Sequence, residues 1–209
     1  MGGLFITFEG PEGGGKTTQL GELRRHLEGK GLAPICLREP GATAVSERIR
    51  SLLLDQDIGG LAVRTEALLF CAARAELVAR RIRPALEAGQ VVLCDRYADS
   101  TLAYQGYGQG LPVAELVALN HFATEGLKPH LTFCLDVSVR LGLSRKRSAN
   151  EANRMEAQDL AFHERVREGF LELAAAEPER WRVIDASRPA AVVAAAVREA
   201  VDAVLKEAM

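Results

Sequence analysis

The residues most able to do chemistry lie together near the start of the chain, in Phe5-Ile6-Thr7-Phe8-Glu9-Gly10-Pro11-Glu12-Gly13-Gly14-Gly15-Lys16-Thr17-Thr18. An apolar run leads into a glycine-rich turn, and the turn ends in a lysine and two threonines. The spacing of Gly10, four residues, then Gly15-Lys16-Thr17 is that of a phosphate-binding P-loop. Glycines at 10, 13, 14 and 15, with Pro11 and Glu12 between them, let the backbone take positive φ and turn its N–H groups inward as an anion nest. The helix that starts at Lys16 and continues through Thr18 adds unpaired N–H groups and the positive end of its dipole. Lys16 reaches β- and γ-phosphates, and the Thr17 hydroxyl suits Mg²⁺. A plain strand-to-helix turn is the bland alternative. The strand before the loop and the helix after it argue for the phosphate site. The chain is expected to bind a nucleoside triphosphate.

Further polar groups recur where strands end. Ala33 to Leu37 reads as a strand delivering Arg38-Glu39-Pro40-Gly41, and the C-terminal end of a strand is where ligands bind in an open α/β sheet. By position alone that cluster is a turn. Val91 to Asp95 is a β-rich run of the kind buried on both faces. It ends in Asp95-Arg96-Tyr97, where Asp95 suits the Walker-B carboxylate that backs a Mg²⁺ site. Phe70 and Arg74 stand one helical turn apart on a shared face. Ser100-Thr101-Leu102-Ala103-Tyr104-Gln105-Gly106 is rich in hydroxyl, amide and phenol groups that can hydrogen-bond a base and pack on a sugar. Arg145, Lys146 and Arg147 form a basic cluster that composition alone would leave as a solvated helix face.

The elements that must position these groups alternate. Helices are expected at about 16–28, 46–54, 64–86 (with Pro84 bending the last turn), 112–125, 140–148, 159–176 and 189–206, and strands at 5–9, 33–37, 91–95, 131–135 and 181–184. The expected fold class is α/β: a parallel sheet of about five strands with helices on both faces, in one domain spanning 1–209. The 209 residues suffice for a real core, and an apolar fraction of 48% with 26% charged residues is ordinary for a globular protein. A net charge of −2 leaves no electrostatic footprint for nucleic acid or an anionic membrane. Cys36, Cys71, Cys94 and Cys134 form no CxxC pair and read as small buried hydrophobes. The first strand begins within a few residues of Met1, with no signal peptide, and no apolar run is long enough to span a bilayer; a cytoplasmic location is expected.

A P-loop alone leaves the class open among switches, motors and kinases. No Asn-Lys-x-Asp guanine motif is present, and Asp57-Ile58-Gly59-Gly60, a loose Asp-x-x-Gly, follows a helix rather than a strand. A motor would want a longer chain and an acidic pair closing its Walker-B strand. Here the acid is followed by Arg96, and a guanidinium beside the metal suits a second phosphate-bearing substrate.

Phe8-Glu9-Gly10 with the P-loop, Arg38-Glu39-Pro40-Gly41, Phe70 with Arg74, Asp95-Arg96-Tyr97 and Ala103-Tyr104-Gln105-Gly106 fall in the order and spacing of the thymidylate kinases, and the chain resembles the bacterial type along its whole length. The resemblance implies transfer of the ATP γ-phosphoryl group to dTMP, with Mg²⁺, in a homodimer that engages neither nucleic acid nor membrane. By the same resemblance, residues 10–18 hold the ATP phosphates, with Lys16 on the transferred group and Thr17 on the metal. Glu9 meets the 3′-hydroxyl of dTMP and the metal through water, and Arg38 and Arg96 clamp the dTMP phosphate. Phe70 stacks on thymine and Arg74 bonds a base carbonyl. Ser100, Thr101 and Gln105 read the remaining edges, and Tyr104 underlies the deoxyribose at the expense of a 2′-hydroxyl. Residues 145–156 resemble the family's LID, in which Arg147 and Arg154 supply the catalytic cations, while Arg145 stacks on adenine with Arg188 near it. Two positions depart from the family pattern: Ala42, where a second glycine is common, and Asn153, where an acid is common. A kinase of another monophosphate and a nucleotide-sensing switch are the competing readings.

Overall fold

The computed structural model describes residues 2–55, 60–148 and 159–208. Among the described residues one sheet has five strands: β1 (Leu4–Glu9), β2 (Ile35–Arg38), β3 (Val91–Asp95), β4 (Leu131–Asp136) and β5 (Trp181–Asp185). All pairs are parallel and the order is β2-β3-β1-β4-β5. β1 is central, with β3 on one side and β4 on the other, so its C-terminal end opens at the topological switch point, where an α/β sheet forms a crevice.

The connections carry α1 (Lys16–Gly29), α2 (Ala44–Leu54), α3 (Val63–Leu77), α4 (Arg83–Glu87), α5 (Ala98–Thr101), α6 (Val113–Thr124), α7 (Val139–Ser148), α8 (Leu160–Ala176) and α9 (Ala190–Ala208). Alternation along β1 assigns its faces. Ile6 and Phe8 pack with Leu20, Leu23 and Leu27 of α1 and Val193, Val197 and Val201 of α9. Phe5 points to the opposite layer, where it joins Leu77, Val78 and Ile82. Thr7 shares that second face and pairs its hydroxyl with Thr132 at 2.9 Å, which satisfies two polar groups between strands. Thr43 caps α2 by accepting from Ser46 N, and Asp159 caps α8 by accepting from Phe162 N.

The sequence pattern finds most elements to within a few residues, with two departures: one helix that is broken, and an unforeseen helical stretch over residues 98–108. The helix expected over 64–86 is not one α-helix: α3 passes into a π-helical turn, Val78–Ile82, before α4. Pro84 has no N–H and its ring crowds the carbonyl one turn earlier. The helix accommodates it by widening just upstream, where Arg83 N bonds back to Val78 O. A second π-helical segment, Leu102–Gly108, continues from α5 and carries Tyr104 and Gln105. Among the described residues no helix is long and apolar enough to cross a membrane, and all four cysteines are unpaired.

The core under the site rests on large, fully buried rings. Phe133 of β4 is stacked on Phe8 of β1 at 5.4 Å, both with no exposure. Phe133→Ala is expected to lower the unfolding free energy by about 3–5 kcal/mol, read as a reduced midpoint in urea titration with an unchanged slope.

Candidate active site

The P-loop is shaped by backbone contacts that exclude side chains. Gly10, Gly13 and Gly15 take φ of 122°, 69° and 81°. A Cβ on Gly10 would lie 2.7 Å from Leu135 O, and one on Gly13 would overlap the backbone of Gly142 in α7. Gly15 leaves the start of α1 without a side-chain cap, so its first N–H groups stay available to an anion. Lys16 Nζ folds over the loop and donates to Gly10 O at 3.0 Å and Pro11 O at 2.8 Å. Burial, with Arg96 adding repulsion, lowers its pKa to about 8 against the opposing carboxylates of Glu12, Asp95 and Glu9. The Thr17 hydroxyl donates to Asp95 Oδ2 at 2.6 Å and brings the end of β3 to the first turn of α1. A hydroxyl and a carboxylate side by side at the cavity wall are hard oxygen donors that fit Mg²⁺, which typically binds one or two protein ligands plus phosphates and water.

Arg96 is the hub of the opposite wall. It takes φ 69°, a left-handed conformation uncommon outside glycine, while its N–H bonds Phe8 O at 2.9 Å. That turn sends the guanidinium back over the P-loop, where it meets Glu12 at 2.6 Å, the Tyr104 hydroxyl at 3.0 Å and Ser100 Oγ at 3.3 Å. It also lies 4.9 Å from the Tyr104 ring centroid, a cation–π contact. Burial would raise the Glu12 carboxyl, yet Arg96 and Lys16 together hold it at about 2. Tyr104 donates its own hydroxyl to Glu12 at 2.7 Å.

A cavity of about 740 Å³ joins these walls. Arg38, Arg96, Phe70, Ser100, Thr101, Tyr104 and Gln105 line it on the side expected for the acceptor, and Glu12, Gly13, Gly15, Lys16, Thr17, Thr18 and Asp95 line it on the side of the loop. Arg38 is half-exposed and held by Glu47 of α2 at 2.9 and 3.0 Å. Glu39–Pro40 is cis. Ala42 takes φ 66°, so the departure at that position carries backbone strain as well as an added methyl.

Two expected contacts sit one layer behind the cavity. Glu9 is fully buried and spends its oxygens on Tyr97 N at 2.7 Å and Ser100 Oγ at 2.6 Å, so Ser100 stands between it and the cavity. Burial, reinforced by Asp99, pushes its pKa up to about 8. Arg74 is 1% exposed and donates to Glu39 at 2.8 Å, Thr101 Oγ1 at 3.1 Å, Asn120 Oδ1 at 2.6 Å and Tyr97 O at 3.0 Å. Burial raises the Glu39 carboxyl to about 7 despite its Arg74 partner.

Arg145 crosses from α7 to Gly13 O at 3.2 Å, Ala186 O at 2.9 Å and Ser187 O at 3.4 Å, and it lines the cavity. Arg147 is exposed in the last turn of α7, and Arg188 is exposed beside the loop that Arg145 grips. Arg154 lies outside the described residues.

The cavity also recruits residues that sequence reasoning passed over. Arg50 is half-buried, donates to Pro40 O at 3.0 Å, and has its pKa lowered by burial and by neighbouring Arg38. It shares a face of α2 with Glu47 and Leu54, an i, i+3, i+7 pattern that could have found it. Lys146 lines the cavity beside Arg145. Glu66 and Asn120 carried no motif.

The geometry can be set beside known proteins. A sequence profile described as thymidylate kinase matches residues 8–197. The thymidylate kinase of Desulfovibrio desulfuricans is 51% identical, with 97% of each chain covered, and that of Thermomicrobium roseum is 53% identical, with 97% of this chain and 96% of the other covered. The crystal structure of thymidylate kinase from Ehrlichia chaffeensis superposes with a TM-score of 0.80 at 35% identity, over 97% of this chain and 99% of that one.

The raised Glu9 pKa has a sign that can be measured. The buried carboxyl is easier to keep protonated in the folded chain (about 8) than unfolded (4.5). Its contribution to stability is therefore complete below about pH 4.5 and is lost as pH rises through about 8. Glu9→Gln copies the protonated group. The nucleotide-free variant is expected to show a flatter loss of stability between pH 5 and 8 than the parent in urea titrations, and an equally steep loss would refute the assignment.

Proposed function

The chain belongs to the thymidylate kinase family, a family of phosphotransferases, and from that premise we propose how its residues carry out the ATP-dependent phosphorylation of dTMP to dTDP. The observation that carries the proposal is the convergence of three guanidinium groups, Arg38, Arg50 and Arg96, on one cavity that also holds the P-loop and the Phe70 ring. A hydrolytic switch has no use for a second phosphate clamp. An acceptor carrying a phosphate and a flat base does.

The ATP triphosphate occupies the nest of residues 10–18, and Lys16 exchanges its two backbone carbonyls for the β- and γ-phosphates. A phosphate anion beside it restores the ammonium that burial disfavours. Arg145 spans Gly13 and the 186–187 loop and forms, with Arg188 near it, the platform for adenine. Thr17 and Asp95 would hold Mg²⁺, which would supply charge neutralisation at the phosphates.

On the acceptor side Arg38, Arg50 and Arg96 clamp the dTMP phosphate, bidentate where geometry allows. Phe70 stacks on the base. Thr101 and Gln105 face its edges, and Arg74 reaches a base carbonyl with the Nη2 N–H that its five protein partners leave over. Ser100, held by Glu9, faces the sugar in place of Glu9 itself. Tyr104, pinned by Glu12 and Arg96, fills the space that a 2′-hydroxyl would need. Positioning both phosphates and excluding water is most of what phosphoryl transfer requires of a protein. Residues 145–156 act as the LID within a single domain, and Arg147 and Arg154 bring the cations that stabilise the transferring group. The enzyme works as a homodimer in the cytoplasm. Leu68 on α3 and Val117 and Phe122 on α6 are exposed on neighbouring helices and support the dimer, and four free thiols support a reducing compartment.

ADP release from Mg·ATP, followed in a coupled assay against dTMP, dUMP, UMP, AMP, CMP and GMP, is expected to be stimulated most by dTMP. Preference for a ribonucleotide or purine would overturn the acceptor pocket, and ATP binding without any stimulation would favour a switch. Arg154→Ala is expected to lower kcat by roughly 10³-fold or more with KM for dTMP nearly unchanged; an unchanged kcat removes Arg154 from the chemistry.

A further inference from the structure

Glu66 lies in the first turn of α3 and is fully buried, where the helix dipole favours a carboxylate. Its Oε1 accepts from Gln105 Nε2 at 2.8 Å and from Gln109 Nε2 at 3.0 Å. One oxygen that receives two amide donors dictates the orientation of both amides: NH₂ toward Glu66, C=O away. The constraint leaves a mark at Gln109, whose Oε1 is buried with no hydrogen-bond partner among the described residues. Turning that amide over would set oxygen against oxygen at Glu66.

Gln105 is held in the same way, but it lines the cavity with Phe70 and Thr101. One N–H of its Nε2 is spent on Glu66, and the same orientation turns the carbonyl oxygen, its acceptor, away from Glu66. We propose that Glu66 is a specificity-determining positioning residue: by holding the Gln105 amide through its nitrogen, it presents Oε1 to the cavity as a fixed acceptor. The site then selects a pyrimidine with a ring N–H at position 3, as in thymine and uracil, over cytosine, which offers a lone pair there. A free glutamine would not discriminate, because its amide reverses to donate to cytosine at little cost. Glu66 removes that freedom, so cytosine meets acceptor against acceptor. Discrimination of this kind rests on an unpaired buried polar group in the wrong complex rather than on added attraction in the right one.

The inference rests on the dTMP kinase reading above. Glu66→Gln keeps the volume and removes the acceptor-only partner, so Gln105 can take either orientation. The kcat/KM ratio of dTMP to dCMP, with dCMP measured also as a competitor of dTMP, is expected to fall at least ~10-fold. The ratio of dTMP to dUMP, which differ by a methyl the amide does not read, is expected to stay within about twofold. A proportional loss on all three substrates makes Glu66 merely structural and overturns the proposal. Should E66Q fail to melt cooperatively, the parent enzyme still decides: 3-deaza-dUMP, with C–H in place of N3–H, is expected to be at least ~30-fold worse than dUMP in kcat/KM, and equality overturns the proposal. Absence of dTMP-dependent ADP release from the parent protein would instead remove the kinase reading itself.

Discussion

The site depends on the register between β1 and β3. Phe8 pairs with Asp95, so the two strands end side by side and their next residues turn toward each other over the crevice. Three contacts follow from that alignment: Thr17 to Asp95, Arg96 to Glu12, and Glu9 to Tyr97 and Ser100. A slip of one residue would reverse every side chain of β3 between the two faces and separate all three. The register is held because both strands are buried on both sides, with Phe5, Ile6, Phe8, Val92, Leu93 and Cys94 fully covered.

On that frame the site holds a balanced set of charges in little solvent. Cations at Lys16, Arg38, Arg50 and Arg96 converge where two phosphates would sit, and nearby acids moderate them. Each acid responds to its own surroundings. Glu12 touches a guanidinium and is held ionised, whereas Glu9 is buried beside Asp99 and is pushed toward its neutral form. The result is a pocket whose cations can concentrate anionic ligands, with Glu12 the acid held ionised among them. The left-handed turn at Arg96 is held by three side-chain partners and a ring contact, in keeping with the tendency of such residues to lie at functional sites.

A buried polar layer supports the residues that face the cavity: Glu39, itself at the cavity wall, and Asn120 around Arg74, and Glu66 beneath Gln105. A layer of this kind is costly when incomplete and orienting when satisfied. It converts flexible donors and acceptors into fixed ones. The π-helical segment Leu102–Gly108 belongs to the same device, since it sets Tyr104 against Glu12 and Arg96 and sets Gln105 against Glu66.

What the sequence alone determined is what short-range chemistry controls. The glycine spacing of the P-loop, the alternation of apolar runs with helical faces, and the polar residues at strand ends were legible because each depends on backbone conformation and neighbours a few positions away. The tertiary structure decided which polar groups reach the cavity and which stand behind it. Glu9 and Arg74 read as ligand contacts, and the fold buries both and gives them protein partners drawn from as far away as residues 100 and 120. Arg50 and Glu66 carried no motif, yet the packing of α2 on α3, and of α3 on the segment 102–108, delivered one to the cavity and the other beneath it. The widening of the helix ahead of Pro84 and the left-handed turns at Ala42 and Arg96 were likewise invisible. The physical reason is common to all of them: a buried polar group takes whichever partner the fold brings within about 3 Å, and distances between remote residues are set only when the layers pack.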